Sequence, residues 1–307
     1  LHQLEERVFS LGGKILDNYQ YALLGLLIKI DESKVQELRQ DKRVKFVEKN
    51  GEAFAIWNDL ALRSWGLDRI DQSDLPLDGQ YKIPYSGKGS HAYVIDSGLR
   101  GTHEDFKGRV GKGFSALEQE KTTNDCNGHG THVAGTVGGS SSGVSSQTIV
   151  HPVRVFGCRG STSWDTIVKA IDWVIANHEK PASINMSLGG GVNDTIDLAV
   201  RNAVKAGIPV VVAAGNSSKD ACTTSPAREP TAITVAATMN NDGRASFSNF
   251  GRCVDIFAPG VRINSASHQS DKAYRALSGT SMASPHVAGA VSLLQGIYSS
   301  WGPAKIA

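Results

Sequence analysis

From Ser90 onward the chain alternates short, unbroken β-branched runs with helix-like stretches, and this alternation limits its fold more than any other feature. "HAYVID", "IVHPVRVF", "ASINMSL", "IPVVVAAGN" and "AITVAAT" are largely apolar, and "TIVKAIDWVIANH" and "TIDLAVRNAVKAG" between them have helical spacing. A strand that is apolar on both pleat faces must be covered on both, which calls for helices above and below a sheet whose strands run parallel. The expected fold class is α/β, a three-layer sandwich around a mostly parallel central sheet. A length of 307 residues suits a large domain of this kind with a small companion.

The first 57 residues read differently. Strands are expected at Lys14 to Leu16, Tyr21 to Ile30 and Val44 to Glu48, with a helix from Ser33 to Arg43 that Ser33 caps and whose apolar face carries Val35 and Leu38. This is a small α+β unit of split βαβ type. The segment that follows, "NGEAFAIWNDLALRSWG", has no strong helix or strand period, yet it is unusually apolar for a connection.

Composition removes several functions. Lys plus Arg is 32 against 30 Asp plus Glu, a formal charge of +2, and no basic block is interleaved with aromatics, so a nucleic-acid partner is not expected. The longest apolar run, Ala22 to Ile30, is broken by Gly25 and Lys29 and is far short of a membrane span. Cys126, Cys158, Cys222 and Cys253 contain no CxxC pair and allow three full pairings; an even number without metal spacing favours disulfides and an oxidising compartment.

In open parallel sheets reactive groups gather beyond the C-terminal strand ends. "AYVIDSG" ends a strand on Asp96, which reads either as a turn carboxylate or as the acid that orients an imidazole. "NGHGTHVAGTVGG" brings His129 and His132; without a Glu in the HExxH position a metal pair is the weaker reading, and one of the two suits a general base. "VVVAAGN" ends on Asn216, a turn residue or an amide donor for an oxyanion. In "GTSMASPHVAG", Gly279 permits a bend and Pro285 is expected in a first helical turn, so Ser281 falls at or near a helix start, where N–H groups and the dipole favour a developing negative charge. Ser278, Ser284 and Ser292 lack that combination.

Together these motifs resemble the subtilisin-like serine proteases, in their proteinase K and aqualysin branch. The chain order Asp, His, Ser is theirs, and "WGLDRIDQSDLPLDG", "DCNGHGTHVAGTVGG", "PASINMSLGGGV", "SFSNFGRCVDIFAPG" and "SGTSMASPHVAG" all match without gaps. The resemblance implies that Asp96 orients, His129 acts as base and then acid, Ser281 attacks the carbonyl and Asn216 with the Ser281 N–H holds the oxyanion, with His132 outside the chemistry. It also implies a substrate-pairing strand at Ser187, Leu188, Gly189 and Gly190, an opposite strand from Gly160 through Ser161 and Thr162 to Trp164, and a P1 pocket walled by Ala213, Ala214 and Gly215. Trp164 falls where relatives line a P4 pocket, with core packing an equal reading, and Thr162 replaces a glycine. The implied disulfides are Cys126 with Cys158 and Cys222 with Cys253.

Calcium is implied as well, at Asp255 with the carbonyls of Pro230 and Ala232, and at Asp68, Asp71, Gln72 and Asp78, all of them hard oxygen donors. Residues 1–57 resemble the inhibitory propeptide, a small ferredoxin-like unit, ahead of a peptidase domain at 58–307. Aligning "WGLDRID" makes Trp57 and Asn58 the processing site, with Phe54 as P4. Both ends look trimmed: a first propeptide strand is expected before Leu1 and roughly 30 further residues after Ala307. The expected activity is that of a secreted, monomeric, calcium-stabilised serine endopeptidase, made as a proenzyme and acting on protein or peptide chains after large apolar or aromatic residues. Its own propeptide is expected to serve as inhibitor and folding aid. An esterase and a degenerate binding module share parts of the pattern, but the intact Asp96, His129, Asn216 and Ser281 argue against degeneracy, and a backbone-pairing strand argues for an amide-bearing substrate.

Overall fold

The computed structural model describes residues 2–55, 58, 59 and 64–307. In chain order its elements are α1 (His2–Ser10), β1 (Lys14–Tyr19), β2 (Gly25–Lys29), α2 (Val35–Arg39), β3 (Glu52–Ala55), β4 (Asn58–Asp59), α3 (Gly66–Ile70), β5 (His91–Asp96), β6 (Phe114–Ser115), α4 (His129–Gly138), β7 (Ile149–Arg154), β8 (Ser161–Ser163) and α5 (Trp164–Asn177). They continue with β9 (Ala182–Met186), β10 (Leu188–Gly190), α6 (Asp194–Lys205), β11 (Val210–Ala213), β12 (Ile233–Thr238), β13 (Ile256–Pro259), β14 (Ile263–Ala266), β15 (Tyr274–Ser278), α7 (Thr280–Ile297) and α8 (Pro303–Ile306).

The central sheet has seven strands in the order β13-β12-β11-β9-β5-β7-β6, and every pair in it is parallel. Side-chain alternation sends Tyr93 and Ile95 of β5 into one layer with Ile167 and Ile171 of α5 and Val200 of α6. Ala92 and Val94 face the other layer, with Val133 and Val137 of α4 and Met282 and Val291 of α7. Both faces are therefore dry, which is why the strands read as continuous apolar runs. α4 and α7 touch closely: a Cβ on Gly289 would come within 2.9 Å of the Val137 carbonyl. The chain steps from β5 out to β7 and then back across β5 to β9, so the sheet reverses its winding at β5, and the crevice beyond that point is where such sheets hold ligands.

The N-terminal segment departs from expectation in several places. It opens on α1, and its sheet holds two antiparallel strands, β1 and β2. The expected strand at Tyr21 begins only at Gly25, because Asp172 of α5 takes the backbone N–H groups of Gln20, Tyr21 and Ala22. The expected helix from Ser33 is a single 3-10 turn, Glu32–Lys34, followed by the short α2, and Asp31 rather than Ser33 caps it. Val44 to Glu48 joins no ladder; Glu48 instead accepts the N–H groups of Asp194 and Thr195 at 3.0 and 2.9 Å, capping α6. The connection beyond it does contain a strand: β3 lies between β10 and β8, antiparallel to both.

Candidate active site

Asp96 is the last residue of β5 and is fully buried. His129 opens α4, and its Nδ1 meets Asp96 Oδ1 at 2.7 Å. A second donor, the Ser97 N–H, holds the same oxygen at 2.7 Å. The loop that delivers His129 is tied down by Asp125, whose carboxylate accepts from the N–H groups of Asn127, Gly128 and Thr131 and from the Ser97 hydroxyl. An imidazole bonded through Nδ1 to a buried carboxylate keeps its Nε2 as the basic nitrogen, and the carboxylate stabilises the cation formed when Nε2 takes a proton. His132, one turn along α4, bonds the carbonyls of Ile263 and Arg275 through Nε2 at 2.9 and 3.1 Å. Burial pushes its pKa down to about 3, so it stays neutral and joins α4 to β14 and β15.

Ser281 is the second residue of α7. Pro285 lies beyond the first turn of that helix, one turn later than expected. Having no N–H, it cannot bond the Ser281 carbonyl four residues back; the Ser187 hydroxyl donates to that carbonyl instead, at 2.9 Å. The exchange is reciprocal, since Ser281 Oγ donates to the Ser187 carbonyl, also at 2.9 Å. Ser284 and Asn185 complete the cluster around Ser187 Oγ at 2.8 and 2.9 Å.

Asn216 follows β11. Its Oδ1 accepts from both the N–H and the hydroxyl of Thr280, each at 2.9 Å. That fixes the amide with its NH₂ turned away from Thr280, and Nδ2 is buried without a hydrogen-bond partner among the described residues. A preorganised, unpaired donor next to a serine at a helix start can bind a developing oxyanion. Thr280 escaped sequence reasoning although it adjoins Ser281. Asn249 escaped it too: its Nδ2 donates to the Ala214 carbonyl at 2.8 Å, which anchors the Ala213 to Gly215 segment. Only a distance map could have supplied either role.

The two strands that the sequence nominated flank β3. Ala55, Phe54 and Ala53 pair with Leu188, Gly189 and Gly190, and Phe54, Ala53 and Glu52 pair with Ser161, Thr162 and Ser163. Gly160 adjoins β8, and the Thr162 side chain does not disturb the ladder. Ala53 is fully buried. Trp164 opens α5 at 4% exposure, and its indole abuts both Gly51 and Gly190, so it is at once part of the core and a wall beside β3. Asn58 pairs with Ser278 in β15. Trp57 and the Phe54 side chain lie outside the described residues.

The cysteines are joined as Cys126–Cys158 and Cys222–Cys253. The calcium candidates are oxygen-rich. Asp255 is linked to the residues after Pro230 and Ala232, accepting the Thr234 N–H through Oδ2 at 2.8 Å and donating its own N–H to the Thr234 carbonyl at 3.0 Å. Asp68 accepts the N–H groups of Asp78 and Gly79 at 3.2 and 2.9 Å, Gln72 Oε1 also accepts that of Asp78, and Asp71 accepts that of Lys82. These four residues thus close one loop, each carboxylate retaining lone pairs that suit a hard cation.

A buried Asp–His pair, a serine at a helix start and an unpaired amide beyond the strand ends of a parallel sheet are the groups that the class of serine hydrolases uses. Residues 87–307 match the Subtilase family of peptidases and residues 1–53 match Peptidase inhibitor I9. Over 98% of its length the chain is 50% identical to the extracellular serine proteinase of Thermus sp. (strain Rt41A), of which it covers 73%. It is 43% identical to the alkaline serine exoprotease A of Vibrio alginolyticus across 94% of its own length and 54% of that protein. The crystal structure of a cold-adapted subtilisin-like serine proteinase superposes with a TM-score of 0.77 at 47% identity, covering 80% of this chain and 89% of that one. The chain belongs to the subtilase family; it is a subtilisin-like serine endopeptidase preceded by an I9 inhibitor segment.

Proposed function

We propose that the protein is a secreted serine endopeptidase that cleaves after large apolar or aromatic residues and matures by cutting its own chain near Trp57 and Asn58. The observation that carries this reading is β3, a segment of the chain itself, held as a third strand between β8 and β10 with Ala55 opposite Leu188, whose neighbour Ser187 accepts from the Ser281 hydroxyl. A substrate backbone would bind in the same way, through strand pairing. Small residues at Ala213, Ala214, Gly215, Gly189 and Gly190 leave room for a large P1 side chain.

In this reading Ser281 Oγ turns from the Ser187 carbonyl toward His129, which takes its proton as the oxygen attacks the scissile carbonyl. Asp96 holds the imidazolium, Asn216 Nδ2 binds the oxyanion, and His129 then returns the proton to the leaving amine. Water repeats the sequence on the acyl-enzyme. The extracellular setting follows from the names of the Thermus relative and from two disulfides. Subtilases commonly bind calcium, and Asp255 with the Pro230 and Ala232 carbonyls, and Asp68, Asp71, Gln72 and Asp78, would hold it; when bound, it cross-links loops and takes no part in acyl transfer.

A phosphonofluoridate should label Ser281 in the processed protein freed of its inhibitor segment, and N-terminal sequencing of that form should start near residue 58. An unlabelled Ser281 would overturn the enzymatic reading; a start far from 58 would overturn the processing site alone. Chelation should shorten the half-life at elevated temperature and calcium should restore it.

A further inference from the structure

His91, His151 and Glu179 stand apart from everything used above. Among the described residues they form a group whose ligand atoms all lie within 4.8 Å of one another. His91 begins β5 and Asp96 ends it, so the group sits about 16 Å along the strand from the catalytic end. We infer that these three side chains form a binding site for zinc or a similar borderline first-row dication, which ties the loop after α5 to the sheet.

The arrangement around His151 carries the argument. This ring is fully buried, stacked on Tyr93 with centroids 4.2 Å apart and an interplanar angle of 16°. Its other side lies against Gly111, where a Cβ would come within 2.3 Å of the ring. Its Nδ1–H donates to the Lys112 carbonyl at 3.0 Å, which leaves the lone pair on Nε2. That is the second contact metal-bound histidines almost always make, and it fixes both tautomer and ring direction. Nε2 points at His91 Nδ1, 2.9 Å away. Two nitrogens held about 2.1 Å from one ion at the tetrahedral angle are about 3.4 Å apart, so the rings need to part by only about half an ångström for an ion to replace the shared proton. Glu179 adds a carboxylate, and its own position is set by its N–H, which donates to the Tyr93 hydroxyl at 2.9 Å. Two imidazoles and one carboxylate, with a water in the remaining position, form a set that suits zinc and not calcium. Without an ion the two rings share one proton in a hydrogen bond, which accounts for their contact but not for the carboxylate beside them.

The inference does not depend on the proposed protease mechanism. The untagged full chain carrying Ser281→Ala, to prevent self-digestion, is stripped with chelator and returned to millimolar calcium so that oxygen-only sites are filled. Titration with Zn²⁺ by calorimetry, and with Co²⁺ by its visible absorption, should reveal a site of one ion per chain. His91→Gln should weaken Zn²⁺ binding by at least about 100-fold and Glu179→Gln by about 10-fold or more, since even outer partners of such ligands are worth that much. Both side chains reach the surface, so circular dichroism should be unchanged. Saturable binding that both variants retain at full affinity, or none below millimolar Zn²⁺, would overturn the site and leave only a hydrogen-bonded histidine pair.

Discussion

At the scale of single residues, the reactive geometry depends on a threonine that does no chemistry. Thr280 spends its N–H and its hydroxyl proton on Asn216 Oδ1, and its Oγ1 accepts the Gly215 N–H at 3.1 Å. The amide can then face the cleft only with its NH₂. Asn216→Leu should lower kcat by about 10²- to 10³-fold with little change in KM, a magnitude established on the corresponding amide of subtilisin. Thr280→Val removes one of the two bonds that orient the amide and should lower kcat by about 5-fold, since a net hydrogen bond is worth roughly 1 kcal/mol. Thr280→Ser, which keeps the hydroxyl, should recover most of the loss. Steady-state kinetics on a peptide amide separates these outcomes; an equal loss in Thr280→Ser would mean that the methyl packing, and not the hydroxyl, does the positioning.

At the scale of elements, β3 is in the proposed reading a built-in substrate, and its strand character comes from its partners. Ala53 is sealed between β8 and β10, so Ala53→Asp must bury a carboxylate there, at a cost of several kcal/mol. The inhibition constant of the isolated 1–57 segment against the processed enzyme should rise by at least about 100-fold, whereas Glu52→Gln, on the exposed side, should leave it nearly unchanged. Measured inhibition by Ala53→Asp equal to the parent would mean that β3 is not what blocks the cleft. The same contrast explains what could be read from the chain. The central sheet was legible because β5, β9, β11 and β12 carry their burial on both faces in their own residues. β3 was not, because "EAFA" has no period and acquires its ladder from residues more than a hundred positions downstream. Pro285 misled for a similar reason: its place in the second turn of α7 is tolerable only because Ser187, remote in sequence, satisfies the carbonyl it frees. Glu48 and Asp172 likewise look like ordinary surface carboxylates until the inhibitor segment is seated on α5 and α6. The triad candidates were legible because each follows an apolar run and closes on a local motif.

For the molecule as a whole, acid should be a sharper threat than the near-zero net charge suggests. The two disulfides close loops that span 32 and 31 residues and limit the unfolded chain at any pH. Two fully buried histidines do not share that indifference. Burial pushes the pKa of His132 down to about 3 and that of His286, which bonds the Met282 carbonyl at 2.8 Å, down to about 4. An unfolded histidine titrates near 6.5. Above that pH both states are neutral and the two residues contribute no pH dependence. As the pH falls below 6.5 the unfolded chain takes up protons that the folded chain refuses, so stability declines, and it goes on declining until the pH reaches about 4 for His286 and about 3 for His132. Between those limits the slope is roughly 1.4 kcal/mol per pH unit for each histidine. Urea unfolding of the Ser281→Ala chain should therefore show a midpoint that drops between pH 7 and pH 5. His286→Gln, which can keep the bond to Met282, should flatten that drop by the share of one proton while lowering the midpoint at pH 7. An unaltered slope in His286→Gln would show that the acid sensitivity belongs to carboxylates and not to the helix that carries Ser281.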